Sequence, residues 1–528
     1  MSGPFALGVM VTWLMPANIT ARAAGGRGIS RVRGVFLVCC VGLSACIGER
    51  GPFANRMALS GTTYLARAAR QPVRWQPWGR DAFALAAKLD RPVLLYVGSD
   101  DCRWCAETDR AIYTDREIGT LINTLFVPIR VDRDERPDVA QRYQAAVERL
   151  AGLRGWPLTV FLTADGSAFF GGTYFPADDP ITGRGLKQLL PEVAKSYREQ
   201  RSFVVQQAAL IRELVLTGSR EMRGPLRPSL VQQGIVDLRR DLEEAVHGRT
   251  AGGSVMHAQA ASALLRGGDT ITRASALRAL DFMLDTTGGT VGEDPPRLVR
   301  AALGRAFAAA WLVTGDRRYR EAAGALVQSL ANEGASESVF TDQQAYVIER
   351  LLLAAAMLEE STATRRARAA LDFVLQRTYA RGWGVRHAVA KNPAQPGFLQ
   401  DQVEVALACL AAYQVSHELR YLDIARDLAT IIERRYADPA GGYFDVAEGT
   451  TSSPAALADR TKHVLDDVLP GANAEAALLL ARLAQVTGDP TYRRRAQTTL
   501  EAFAGAVPGA GVRAATYLVA VRETLQLP

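Results

Sequence analysis

From Pro92 the chain alternates short apolar runs with amphipathic ones. PVLLYVGS, ending in Gly98 and Ser99, predicts a buried strand, Asp115 to Leu125 has helical spacing, FVPIRVD predicts a second strand, and Asp138 to Leu150 a further helix. GWPLTVFLTADGSAFFGGTYFP carries two β-rich runs around Ala164-Asp165-Gly166, which predicts a hairpin, and a last helix is expected from about Ile181 to Gln200. Such alternation predicts an α/β domain built on a central sheet.

Beyond residue 228 the texture changes to long alanine- and leucine-rich helical segments separated by glycine-rich turns. One pattern recurs: VTGDRRYREAA from Val313, VSHELRYLDIA from Val415 and VTGDPTYRRRA from Val486. Each has a turn after an apolar helix, a tyrosine (Tyr319, Tyr421, Tyr492) and an alanine four residues later, so tyrosine and alanine share one face of a new helix. A second echo pairs FTDQQ at Phe340 with FLQDQ at Phe398. Repeated helical hairpins of this kind fit an (α/α) barrel, with an open α-solenoid as the alternative.

Length and composition bound the picture without narrowing it. The chain has 528 residues, enough for two to four domains, with 48% hydrophobic and 22% charged residues, which favours neither wholesale disorder nor a multispan membrane protein. The net charge of +7 is spread along the chain, and runs such as Arg493 to Arg495 read as a solvated helix face; no nucleic-acid partner is expected.

The cysteines say more. Cys39, Cys40 and Cys46 lie in one N-terminal apolar stretch, Cys102 and Cys105 form a CxxC, and Cys409 stands alone in an apolar helix-like segment, where it reads as a small buried hydrophobe. Arg27, Arg31 and Arg33 precede an apolar run from Gly34 to Leu43, and Leu43-Ser44-Ala45-Cys46 follows. That order reads as a secretory signal, and LSAC resembles a bacterial lipobox, which makes Cys46 the lipid-bearing first residue of an exported, membrane-anchored envelope protein; an uncleaved anchor is the alternative. An earlier apolar patch, VMVTWLM, fits a single signal peptide poorly and makes Met15 a candidate start.

A CxxC that follows a strand and opens a helix places its first cysteine at the helix N-terminus, where unpaired amides and the helix dipole favour thiolate over thiol. Cys102 is therefore the expected attacking thiol and Cys105 the resolving one, with Arg103 and Trp104 between them. Trp156-Pro157, just before LTVFL, is the expected cis-proline position beside the CxxC. A zinc reading lacks a second ligand pair, and the five histidines have no metal-ligand spacing, so neither a metal nor a cofactor is expected and the histidines default to structural roles.

The segment from NRMALSGTTYLARAARQPVRW through the CxxC, VDRDERPDVAQRY and GWPLTVFL resembles the thioredoxin domain of the YyaL and spermatogenesis-associated protein 20 family, the DUF255 group, over about residues 55 to 200. The family's second half is an all-α (α/α) toroid of the six-hairpin glycosidase type, to which FTDQQAYVIERLLLAA, FLQDQVEVALACLAAY and DDVLPGANAEAALLLARLAQVTGD are similar. The expected organisation is thus 1–46 as a signal or lipoprotein segment with a start that lies too far upstream, 47–57 as linker, 58–204 as the thioredoxin-like domain, 205–227 as a connecting helix or linker and 228–528 as the toroid. The resemblance also implies that Asp342, Asp401 and Asp467 face the central cavity with Asn473 nearby. Family members usually carry histidine after each cysteine, whereas Arg103 and Ala106 stand here, and Gly252-Gly253-Ser254 replaces a longer aromatic motif. Three functions follow as expectations: thiol-disulfide exchange with a protein partner, glycosidase- or epimerase-like chemistry on paired carboxylates, and non-catalytic binding of a glycan, peptide or small molecule.

Overall fold

The computed structural model describes residues 53–527 except 180, 183, 219–221, 249–253, 267–268, 289–294, 337–338, 389–396 and 450–459. The expectations for Cys39, Cys40, Cys46 and Met15, and for Gly252 and Gly253, fall outside the described residues. Among those described, no helix is long and apolar enough to cross a membrane.

Two helices, α1 (Thr63–Arg67) and α2 (Arg80–Leu89), lead into β1 (Val93–Gly98). The order continues α3 (Arg103–Ala111), α4 (Arg116–Leu125), β2 (Val127–Asp132), α5 (Pro137–Ala151), β3 (Leu158–Leu162), β4 (Ala168–Gly172), α6 (Leu186–Glu199) and α7 (Arg201–Thr217). The sheet order is β2-β1-β3-β4, parallel between β1 and β2 and antiparallel across the other two pairs. Strand β1 is buried along its whole length because its alternate side chains enter two cores. Val93, Leu95 and Val97 pack with residues of α2 and α5, while Leu94 and Tyr96 pack with residues of α1, α4 and α6. From 201 to 217 the chain is a packed helix. In α7, Val204 and Ala208 join one core and Ile211 and Val215 the other, so apolar burial extends the domain to Thr217.

The second half is a ring of twelve helices among the described residues. They are α8 (Pro228–His247), α9 (Val255–Arg266), α10 (Thr270–Gly288), α11 (Arg297–Thr314), α12 (Arg317–Glu333), α13 (Thr341–Met357), α14 (Ser361–Thr378), α15 (Leu399–Ser416), α16 (Leu419–Arg435), α17 (Ala472–Thr487), α18 (Pro490–Glu501) and α19 (Ala515–Leu525). The odd-numbered helices from α9 to α19 pack in succession, and α19 returns to α9, so the ring closes as a toroid and the open solenoid is excluded. Inner helices α13, α15 and α17 are buried on nearly every face, which explains their continuous alanine and leucine runs. The repeated tyrosines start the outer helices α12, α16 and α18. Tyr319 and Tyr421 are buried, and Asp316 and Asp489 cap the first and last of these helices.

Candidate active site

Strand β1 ends at Gly98, and four residues later Cys102 is the N-cap of α3. Cys102 and Cys105 form a disulfide, and the Cys105 backbone N–H donates to Cys102 Sγ at 3.1 Å. The two sulfurs differ in access: Cys102 is half-buried, whereas Cys105 is fully buried. Arg103 is exposed, and Trp104, 61% exposed, lies 5.8 Å from the 43% exposed Tyr174, so an open aromatic pair flanks the accessible sulfur. The Trp156-Pro157 bond is cis, with Pro157 buried and Trp156 half-buried.

Below the disulfide lies an aromatic cage. Trp75, Tyr96 and Tyr113 pack against one another, and the Arg130 guanidinium sits 4.2 Å from the Tyr64 ring centroid and 5.1 Å from that of Tyr96. Arg130 makes a two-point pair with Asp109 of α3 at 2.7 and 2.6 Å, which ties the cysteine-bearing helix to β2. Gly98 is glycine because space requires it: an added Cβ would lie 2.3 Å from Tyr64 Oη and 3.0 Å from Cys105 Sγ. Gly98→Ala is expected to cost about 1–3 kcal/mol of stability by overpacking. It should also disturb Cys105. Urea unfolding and the rate of disulfide reduction by dithiothreitol check this, and unchanged values for both would contradict it. In register with Gly98, Asp132 is a buried carboxyl pushed up to about 7, by burial foremost and then by the charge of Asp134.

A polar relay leaves this site toward the toroid. Asp101, next to Cys102, accepts from Ser99 Oγ at 2.6 Å and from Arg133 Nη2 at 2.6 Å. Arg133 also holds Asp134 at 2.8 Å and lies over the Trp156 ring at 5.6 Å. The Asp134 carbonyl accepts from His387 Nε2 at 2.7 Å, and His387 Nδ1 faces both Asp401 oxygens at 3.0 and 3.1 Å. A carbonyl only accepts, and both Asp401 oxygens already accept backbone N–H groups, so both ring nitrogens donate and His387 is an imidazolium. Burial alone would push it down, but Asp401 and then Asp342 outweigh burial and hold it up at about 10. Phe340 stacks on the imidazole at 4.6 Å and Phe398 meets it edge-on at 4.8 Å. These are the two phenylalanines of the FTDQQ and FLQDQ echo. Gln344 and Gln402, at the end of each copy, hold the backbone of the segment before their helix at Ser336 and Val385.

The toroid candidates fall differently from the expectation. Asp401 accepts the backbone N–H of Asp342 at 3.1 Å and of Phe398 at 2.7 Å, so both its oxygens are committed to helix starts and to His387. Asp342 accepts from the Gln343 backbone at 2.8 Å, and burial, with Asp401 reinforcing it, pushes its carboxyl up to about 7. Asn473 is buried and spends its amide on the backbone of Tyr443 and His463. Asp467 is half-buried and acts electrostatically on Arg133, at the junction. None of the four lines the small cavity walled by Arg266, Arg305, Arg350 and Arg482, and Asp342, Asp401 and Asn473 are spent on hydrogen bonds near the starts of the inner helices. The histidines, with no spacing to mark them, include one that structure makes central. Donor atoms of Asp342, His387 and Asp401 lie within 4.8 Å of one another, but the imidazolium itself supplies the positive charge between the two carboxyl groups. Cys409 is fully buried, and burial pushes its thiol up, as befits a packing residue.

Comparison with known proteins divides the chain at the same place. Residues 54–215 match the model of the protein family of unknown function DUF255, and residues 308–517 match the N-acylglucosamine 2-epimerase family. Spermatogenesis-associated protein 20 of Rattus norvegicus is 35% identical over 175 residues, which are 32% of this chain and 22% of that protein. The Homo sapiens protein of the same name is 34% identical over 174 residues, again 32% and 22%. The matched stretch thus spans about a fifth of the length of these curated relatives. Among solved structures, an unsaturated glucuronyl hydrolase specific for heparin aligns with a TM-score of 0.44 at 12% identity, covering 57% of this chain and 98% of its own. Cellobiose 2-epimerase from Bacillus thermoamylovorans aligns at 0.38 and 11%, covering 47% and 74%.

Proposed function

We propose that this chain, which joins a DUF255 thioredoxin-like domain to a toroid of the N-acylglucosamine 2-epimerase type, is a thiol-disulfide oxidoreductase acting on a protein partner. The observation that carries the reading is the pairing of a half-buried Cys102 with a fully buried Cys105 across the first turn of α3. In the reduced protein the Cys102 thiolate, favoured at a helix N-terminus, attacks one sulfur of a partner disulfide. One partner thiolate leaves, and a mixed disulfide joins the two proteins. The Cys105 thiolate then attacks Cys102 Sγ, closes the Cys102–Cys105 bond and releases the partner's second thiol, so two electrons pass to the partner. The same steps in reverse oxidise a dithiol. Trp104 and Tyr174 offer an apolar, exposed surface against which the partner's chain can lie beside Cys102. The reading includes an oxidising envelope setting, supported by the signal-like pattern ending at Cys46.

The glycosidase- or epimerase-like alternative rests on the family match over residues 308–517. It is weakened where it was expected to act, because Asp342 and Asp401 are buried and hydrogen-bonded to backbone or histidine.

The test is a trap. Cys105→Ser, expressed in the native cell, leaves the mixed disulfide at Cys102 unresolved, and affinity capture without reductant is expected to bring covalent partners that reductant releases. The same capture with Cys102→Ser/Cys105→Ser should bring none. Absence of any adduct under both oxidising and reducing growth would end the oxidoreductase reading.

A further inference from the structure

Far from the thiols, the interior of the toroid holds a cavity of about 40 Å³ walled by α9, α11, α13, α17 and α19. Four arginines line it: Arg266, Arg305, Arg350 and Arg482. Three have carboxylate partners. Arg350 pairs with Glu349 at 2.9 Å and Glu475 at 3.3 Å, Arg482 with Glu349 at 3.4 Å and Glu523 at 3.2 Å, and Arg266 with Glu523 at 3.8 Å. Arg305 has none: among the described residues it makes no ion pair and no hydrogen bond, and its Nε is buried without a partner. On the facing wall Gln259 also has a buried amide oxygen without a partner, while its amide nitrogen reaches Tyr346 Oη at 3.4 Å.

Charge counting gives the same answer. Glu404, the remaining acid of this cluster, is pushed well above the usual carboxylate range by burial and then by the charge of Glu475, and so stays protonated. Four guanidinium groups therefore share three arginine-paired carboxyl groups, Glu349, Glu475 and Glu523. Arg305 registers the imbalance: burial, and then the neighbouring Arg266, push it down to about 9. A half-buried cation with no ion pair, and with one N–H buried without an acceptor, is costly unless something supplies the opposite charge.

We propose that this cavity is a binding site for a small oxyanion, the carboxylate or phosphate group of a small-molecule ligand, held by Arg305 with Arg350, Arg482 and Gln259 around it. Size sets the class. A water needs roughly 10–15 Å³ on this measure, so the cavity takes about three waters or one oxyanion head, and no whole sugar. A wider vestibule of about 290 Å³ shares Ala263, Arg266 and Val519 with the cavity and leads on to Gln485 and Arg522. It lies where α9, α17 and α19 finish, away from the end at which the inner helices meet the thioredoxin-like domain. The neutral body of the ligand fits there. Turning over the Gln259 amide lets Tyr346 donate to its oxygen and turns its N–H toward the anion.

The test uses the full chain and two probes at constant ionic strength, inorganic phosphate and acetate, with binding read by calorimetry and by the rise in melting temperature over that in chloride. Saturable binding of phosphate alone identifies a phosphate site, and of acetate alone a carboxylate site. Arg305→Gln should weaken the binding roughly tenfold or more, the loss expected for one charge-assisted contact. Arg305→Met should melt higher than the wild type without anion and show no anion-dependent rise, whereas Arg305→Lys should keep most of it. The Cys102→Ser protein should respond as the wild type does, which separates this result from the fate of the redox reading. An equal rise in wild type and Arg305→Gln would be the general salting effect of phosphate and would overturn the proposal, as would the absence of any rise in the wild type.

Discussion

Asp109→Ala is expected to destabilise the thioredoxin-like domain by about 3–5 kcal/mol, the penalty for leaving one member of a buried ion pair alone. Arg130 is fully buried and Asp109 21% exposed by side chain, so solvent cannot replace the lost carboxylate. The rings of Tyr64, Trp75 and Tyr96 face the guanidinium and attract it, but none of them hydrogen-bonds its N–H groups, which are held by Asp109. Removing Asp109 therefore strands a desolvated cation inside the cage. It also frees the last turns of α3, the helix whose first turn presents the two cysteines, so reduction of the disulfide should change along with stability. The companion Asp109→Leu/Arg130→Met removes both charges and should recover most of the loss. Urea unfolding checks both proteins, read as a shift of midpoint at constant slope. A loss below about 1 kcal/mol in Asp109→Ala, the range of exposed pairs, would mean that water reaches Arg130 and that the cage is open.

What could be read along the chain was whatever depends on near neighbours. The run from Leu94 through Gly98 to the CxxC carries strand, turn and helix start within a dozen residues, and each has a local cause: a continuous apolar run, glycine, and a thiol at an N-cap. Asp115 caps α4 and Ala164-Asp165-Gly166 turns the β3–β4 hairpin for equally local reasons. The toroid was legible because each hairpin repeats the same physical problem, so Tyr319 and Tyr421 recur at outer-helix starts. The FTDQQ and FLQDQ echo was visible too, but its meaning was not. It marks two inner-helix starts that clamp one imidazole, and that imidazole comes from a segment between them with no repeat of its own. His387 finds Asp401 14 residues away and the Asp134 carbonyl 253 residues away, and no local spacing rule spans such distances. Arg305 left a fainter trace. An arginine in the middle of the alanine-rich α11, flanked by buried Gly304 and Ala306, was the trace that could have singled it out.

His387→Gln should destabilise the protein strongly at pH 6 and progressively less as the pH is raised toward 10. The folded-state pKa of His387 is held up at about 10, against an ordinary value of 6.5. A group raised in this way contributes stability that is fully present below 6.5 and is lost as the pH rises through about 10. The groups facing it are Asp401 and Asp342 from the two inner helices, with the Asp134 carbonyl and the Glu135 side chain from the loop after β2. Asp342 works in the same sense at lower pH: its pKa, raised to about 7, means that stability is lost as the pH rises from the unfolded value of 3.8 through about 7. Above about pH 8 Asp342 has largely titrated, and the imidazolium titrates beyond it. There the wild type should lose stability relative to the variant at a slope approaching about 1.4 kcal/mol per pH unit. Urea unfolding of both proteins at several pH values between 6 and 10 gives the difference directly, and the imidazole proton shifts of His387 give the pKa independently. A constant difference across that range would place the proton on Asp401 and leave His387 neutral. Because the same imidazolium donates to the loop that carries Arg133, its deprotonation should also loosen the junction, and proteolysis after Arg133 or Arg136 should quicken over the same interval.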